Sequence, residues 1–199
     1  MRLLPNLDRD FSEWHGGCSS ALVWALDVDT AEVRARVGEA AGRLDDLLLS
    51  RYLRQPHITL AFAGLRPEPG ATPAGAVYGE HDTRRDLAAL RALGIAPFRV
   101  TVGGWGTFPM APYLDASADA LSPLRAVLPA PSRHPHVTVG LYAVEAELSE
   151  AEARMTGFAP PPLEVAVDTV CLMSYATDDI AGPLTTIGRL SLCDGTWTG

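Results

Sequence analysis

A chain of 199 residues is long enough for one sizeable core, or for one domain built of two similar lobes. Hydrophobic residues make up 47% and charged residues 20%, as in an ordinary globular protein, and no apolar run reaches the roughly 18–20 residues that span a bilayer. The formal net charge of -8 argues against a protein that holds long duplex nucleic acid, because that affinity comes largely from a basic stripe releasing counterions.

Residues 1–10 are too polar for a signal peptide, so a cytoplasmic protein with an irregular start over 1–17 is expected. Residues 18–28 read as a strand. Asp29 and Thr30 are placed to cap a helix over 31–41, with Glu32 in its first turn. Residues 52–64 read as a strand, and the Pro- and Gly-rich 66–81 as a loop. Asp82 and Thr83 suit the cap of a helix running to 93, closed by Gly94. A strand over 98–102 meets Gly103, Gly104 and Gly106, which suggest a bulge. A short strand over 113–116 and a helix over 119–128 complete the first half.

The second half resembles the first. Residues 136–143 read as a strand and 149–155 as a helix, with Ser149 and Glu152 forming a capping box. Pro160, Pro161 and Pro162 form a stiff lead-in to a long strand over 163–175, and 186–192 form the last strand, followed by an irregular end over 194–199. The fold class expected is α+β: two pseudo-symmetric lobes, each an antiparallel or mixed sheet with helices on its outer face, around a central cleft, in a single domain over 1–199. Cys18, Cys171 and Cys193 are odd in number and lack a CxxC spacing, so they read as free thiols. All the basic residues are Arg, which reads as compositional bias.

One repeat stands out. Arg54-Gln55-Pro56-His57-Ile58-Thr59-Leu60 matches Arg133-His134-Pro135-His136-Val137-Thr138-Val139. A single His-x-Thr means little, but two copies on strands, one per half and with the same flanking Arg and Pro, are a poor fit to chance. Side chains alternate along a strand. Ile58, Leu60 and Phe62 therefore face a core while His57, Thr59 and Ala61 face the other way. Val137, Val139 and Leu141 likewise oppose His136, Thr138 and Gly140. Placed face to face, the strands line a cleft with two imidazoles and two hydroxyls. Hydrolysis of a cyclic phosphate needs a base for water and an acid for the departing oxygen, and histidine titrates in the right range for both. The threonine hydroxyls suit charge building on the non-bridging oxygens.

Two such motifs on strands of a two-lobed chain resemble the 2H phosphoesterase superfamily, which includes the bacterial RNA 2′,3′-cyclic phosphodiesterases, also called 2′-5′ RNA ligases. The resemblance runs from about residue 20 to 192 and takes in 98–109. It implies that His57 and His136 are the catalytic pair, the first as acid and the second as base, and that Thr59 and Thr138 bind phosphate. Relatives often carry a basic residue near the position of Leu141, so Arg54 or Arg133 is left to supply a phosphate contact. No cofactor and no metal are implied. His134 and His136 share a strand face that a metal could use, but no Asp or Glu partner is evident in the sequence, and His134 reads as a cleft-edge residue. Trp105, Phe108, Tyr113, Tyr142 and Tyr175 read mainly as core, with Tyr175 the candidate for stacking on a base. His15 and His81 fall in loops and are assigned nothing.

The function expected is metal-independent hydrolysis of a 2′,3′-cyclic phosphate, on a small nucleotide or an RNA 3′ end, by a monomer without a membrane partner. Reversible 2′-5′ RNA ligation would use the same groups in reverse. A nucleotide-binding module with little turnover is the rival from another class, as is a pair of purely structural imidazoles.

Overall fold

The computed structural model describes residues 2–199. In chain order the elements are β1 (Arg2–Leu3), α1 (Ser12–His15), β2 (Ser20–Asp27), α2 (Ala31–Arg43), a 3-10 turn (Asp45–Leu47), β3 (His57–Leu65), α3 (Glu80–Ala92), β4 (Phe98–Thr107), β5 (Pro112–Ser117), α4 (Leu121–Ala126), β6 (His136–Thr138), β7 (Ala146–Glu147), α5 (Leu148–Arg154), β8 (Leu163–Val167), β9 (Thr169–Ala176), β10 (Thr185–Ser191) and β11 (Trp197–Thr198). The class is α+β. Nine strands form one antiparallel sheet in the order β11-β10-β9-β2-β3-β6-β5-β4-β8, and β1 pairs with β7 apart from it.

The sheet has two halves, joined by the register pair Ile58–Val137 and by an isolated bridge between Ala61 and Pro131. In the first half β2 is an interior strand, between β9 and β3. It is apolar along its length because both of its faces are covered. Only Asp168 separates β8 from β9, yet they lie in opposite halves. The two halves therefore curl toward each other. The long strand expected over 163–175 is broken there, and the burial phase shows why. Val165 and Val167 are buried at odd positions before Asp168, whereas Val170 and Leu172 enter the same core at even positions after it.

One core cluster takes Ile58, Leu60, Val137 and Val139 from the sheet, Val33 and Ala40 from α2, Leu87 and Leu90 from α3, and Leu121 and Leu124 from α4. These helices thus cover the face opposite His57 and Thr59. Thr30 caps α2 by accepting from the Val33 amide at 3.3 Å. The cap expected for α3 lies elsewhere. The helix begins at Glu80, and Asp82 reaches back as an N3 carboxylate to the Gly79 amide. The buried Asp86 pins α3 to the sheet by accepting from Tyr78 Oη at 2.7 Å, Trp24 Nε1 at 3.1 Å and Arg85 Nε at 2.9 Å. Ser149 makes no capping bond, because α5 starts one residue earlier with Glu147 at its cap.

Other differences are local. Residues 52–56 do not join a ladder: Leu53 N donates to Ala181 O, and Arg54 and Gln55 use their side chains on residues 180–184. Pro56, which has no N–H, then precedes β3. An irregularity between β2 and β3 shifts the alternation after Leu60. Ala61 enters the main core, while Phe62 turns to the cleft face with Val23 and Met173, opposite to expectation. The glycine bulge is present as a register shift between Val102 and Trp105. The ends are not wholly irregular, since α1, β1 and β11 occupy them. No helix among the described residues is long and apolar enough to cross a membrane.

Candidate active site

The two motifs lie side by side at the seam, not face to face across a gap. With Ile58 opposite Val137 in antiparallel register, His57 falls across from Thr138 and Thr59 across from His136. Side chains directly opposite each other on such strands are separated by about 5 Å. An approximate two-fold axis through the Ile58–Val137 pair therefore arranges two imidazoles and two hydroxyls as the corners of a small square. The core packing of Ile58 and Val137 sends all four groups to the other face.

Both imidazoles are oriented in the same way. His57 Nδ1 lies 2.7 Å from the carbonyl of Gln55, and His136 Nδ1 lies 2.7 Å from the carbonyl of His134. A carbonyl only accepts, so each Nδ1 carries its proton. That leaves Nε2 as the working nitrogen of both rings: a base when neutral, an acid when charged. Neither Nε2 has a hydrogen-bond partner among the described residues.

The side chains at the two supporting positions are anchored too. The Gln55 amide exchanges two 2.8 Å hydrogen bonds with the backbone of Leu184. His134 Nε2 meets Asp115 at 2.8 Å. His134 is thus held against β5, and its ring stacks on His136 with centroids 6.2 Å apart.

The environments differ. His57 is only 7% exposed, whereas His136 is half-buried. Burial pushes the His57 imidazole down to about 4; the Gln55 carbonyl opposes this, and the nearby charges of Arg54 and His136 reinforce it. His136 is also lowered, chiefly by burial and partly by His134, against the pull of the His134 carbonyl and Asp115. Both rings are therefore biased toward the neutral form.

Arg54 lies beside the pair. Its guanidinium donates to the carbonyls of Ile180 and Gly182 and sits 4.6 Å above the ring of Tyr175. Tyr175 thus has one face occupied by a cation. Arg133 is exposed, with no hydrogen bond or ion pair among the described residues, and the charges that act on His136 are His134 and Asp115. The structure does not bring Arg133 to the pair, because residues 130–135 bend around Pro131 and Pro135 before β6 begins.

Of three further neighbours, Tyr52 was not legible as a site residue, whereas Phe108 and Tyr113 were among the aromatics weighed for stacking, with Tyr175 preferred. Tyr52 lies near Thr138, and burial pushes its phenol up to about 12. Phe108 and Tyr113 flank the His136 ring, with centroids at 5.0 and 5.4 Å. Tyr113 lies against Gly106, where a Cβ would meet its ring at 2.6 Å. The run of glycines near Gly106 was the available signal. No group of three or more His, Cys, Asp or Glu suited to a metal occurs among the described residues.

The family model described as the 2′-5′ RNA ligase superfamily matches residues 27–179. The chain belongs to that superfamily. No curated protein matches the sequence. Among solved structures, a phosphoesterase is 17% identical with a TM-score of 0.58, over 88% of this chain and 99% of that one. TT0787 of Thermus thermophilus is 23% identical with a TM-score of 0.55, over 86% and 97%. E. coli LigT complexed with 3′-AMP is 17% identical with a TM-score of 0.55, over 87% and 97%. At these identities the likeness shows a shared fold. Both His-x-Thr motifs of this superfamily member lie inside the matched span.

Proposed function

We propose that the protein is a phosphoesterase that hydrolyses a 2′,3′-cyclic phosphate, on a small nucleotide or an RNA 3′ end, to a monoester without a metal. The observation that carries this reading is the crosswise square of His57, Thr138, Thr59 and His136, with both Nδ1 atoms fixed on carbonyls. In the reaction one Nε2 takes a proton from water as its oxygen bonds to phosphorus. The other Nε2 protonates the ribose oxygen as its bond to phosphorus breaks. Thr59 and Thr138 donate to the non-bridging oxygens, where charge develops in the transition state. The Arg54 charge adds to the attraction for the phosphate. Arg133 has no part in this scheme.

The two rings are assigned by their surroundings. A proton shared by the pair resides on His136, the less buried ring, which also feels Asp115. His136 is accordingly the acid and His57 the base, the reverse of the order implied by the resemblance. Phe108 and Tyr113, beside His136, offer the platform for a base, while Tyr175 serves to hold Arg54. E. coli LigT has been solved with 3′-AMP and with ATP, which fits a site sized for nucleotides.

The test is a panel assay in the presence of EDTA, using 2′,3′-cyclic mononucleotides, an oligonucleotide ending in a cyclic phosphate, and a 2′-5′ dinucleotide. Turnover of a cyclic phosphate that survives chelation is expected. Turnover of the 2′-5′ dinucleotide alone points to ligase chemistry run in reverse. Loss with EDTA and recovery with a divalent ion overturns the metal-free scheme.

A further inference from the structure

A cavity of about 350 Å³ opens beside His57 on the side away from β6. It runs from Asp27 and His57 at one end, over Met173, to Thr186 and Arg189 at the other. Strand register explains why Arg189 points into it. Thr59, Ala25, Cys171 and Arg189 form one row across β3, β2, β9 and β10. Ala25 and Cys171 of that row lie in the cleft-face cluster, so Arg189 shares their face. A register shift between Thr186 and Gly188 brings Thr186 to the same face, against Met173. The Thr186 hydroxyl and the Arg189 guanidinium make no hydrogen bond or ion pair among the described residues, whereas Arg34, Arg51 and Arg54 are all engaged. Two carboxylates line the cavity as well: Asp29 is paired with Arg34 at 2.6 Å, and Asp27 lies across from His57 on the neighbouring strand, which leaves the Arg189 guanidinium without an ion-pair partner among the described residues.

We propose that this cavity is a second anion subsite, which receives a phosphate of the substrate other than the reacting one. The inference rests on the cyclic-phosphate reading above. Three strand spacings, about 14 Å, separate the backbones of Thr59 and Arg189, and the long arginine side chain closes much of that distance. One nucleotide spans the remainder. The substrate class is therefore a 2′,3′-cyclic phosphate whose nucleoside also carries a 5′-phosphate, with Arg189 pairing to that phosphate and Thr186 donating to it. Two sources share this chemistry: a free 5′-phosphorylated nucleotide, and the last nucleotide of an RNA.

The experiment compares kcat/KM for three substrates: a nucleoside 2′,3′-cyclic phosphate, the same compound with a 5′-phosphate, and a dinucleotide ending in a 2′,3′-cyclic phosphate. The wild-type protein is expected to favour the second, the third or both by about tenfold or more, the value of a charge-assisted bond. Arg189→Ala should bring the favoured substrate to within about twofold of the first, and Arg189→Lys should keep part of the preference. Thr186→Val should reduce it less. A higher rate on the monoester identifies the free nucleotide as the source, and a higher rate on the dinucleotide identifies RNA. Equal rates on all three in the wild type overturn the subsite while leaving the proposed function in place. So does an Arg189→Ala variant that slows all three alike. No turnover of any of the three overturns the cyclic-phosphate reading, and the subsite with it.

Discussion

The two halves of the site share a backbone plan but not an environment. In both, a strand carries His and Thr on one face, and a carbonyl two residues upstream fixes Nδ1. The His57 ring itself is buried, beside the cleft-face cluster of Met173 and Leu184, with Arg54 as the nearby cation and Asp27 at the edge of the adjoining cavity. Around His136 the surroundings are aromatic and acidic, with Phe108, Tyr113, His134 and Asp115. The symmetry of the chain thus supplies geometry, and its asymmetry sets the chemistry. Two equivalent imidazoles would compete for the same proton. In the proposed reaction, unequal burial separates them into one base and one acid.

The largest test of this comparison removes either ring. His57→Ala and His136→Ala should each lower kcat by at least about 10²-fold with the fold retained, since each deletes one proton transfer. The residual rates sharpen the contrast. His57→Ala should lose the acidic limb of the pH profile, and His136→Ala the alkaline limb. An exchange of limbs reverses the roles. Near-normal turnover in either variant removes the two-histidine scheme.

The hydroxyls come next. Thr59→Val and Thr138→Val keep the branched shape and delete the donor, so kcat/KM should fall roughly 10–10³-fold with thermal stability little changed. Thr138 also has Tyr52 nearby, so its variant should show the larger change in KM. Loss of folding with specific activity kept would make the threonines structural.

The supporting positions should matter less. Gln55→Ala frees the chain beside His57 from Leu184, and His134→Ala frees it from Asp115. Each should cost about tenfold in kcat, because the carbonyl that aims Nε2 gains freedom. His134→Gln tests the pseudo-symmetry directly, since Gln stands at the matching position of the first motif. Recovery of most of the rate is expected. No recovery would mean that the His134 ring, and not the anchorage, is what His136 needs.

Much of this site was legible in the sequence, for definite reasons. A local repeat on alternating strands reveals His57, Thr59, His136 and Thr138, together with the face they share. What it does not reveal is register. The crosswise pairing depends on Ile58 meeting Val137 across 79 positions, a tertiary contact without local signal. Phe108 and Tyr113 reach the site through the pairing of β5 with β6, again without local signal. The reversal of Phe62 follows from irregularities between β2 and β3, which no one-strand pattern encodes. The break at Asp168 was readable in principle, because the apolar phase changes there, but only by following parity through the whole of 163–175.

The smallest expected effect concerns Asp115, and it probes how the second half tunes its ring. His136 is faced by His134 from its own segment, by Asp115 and Tyr113 from β5, by Phe108 just after β4, and by His57 from β3. Of the charges, Asp115 favours the protonated ring and His134 disfavours it. In the free protein both imidazoles are held below the ordinary histidine value of about 6.5, so on the proposed mechanism the bell of kcat/KM against pH should peak below that value. A bound phosphate is negative and favours the protonated rings, so the profile of kcat should lie at higher pH. Asp115→Asn keeps an oxygen for His134 but removes the negative charge. His136 then loses its proton more readily, and with His136 as the acid the alkaline limb moves to lower pH. At pH 7 kcat/KM should fall by about two- to fivefold, a weak and salt-sensitive effect because the carboxylate is exposed. The acidic limb should hold still, since Asp115 is not among the charges that act on His57. Movement of the acidic limb instead would make His136 the base, and a profile unchanged on both sides would confine Asp115 to holding His134 in place.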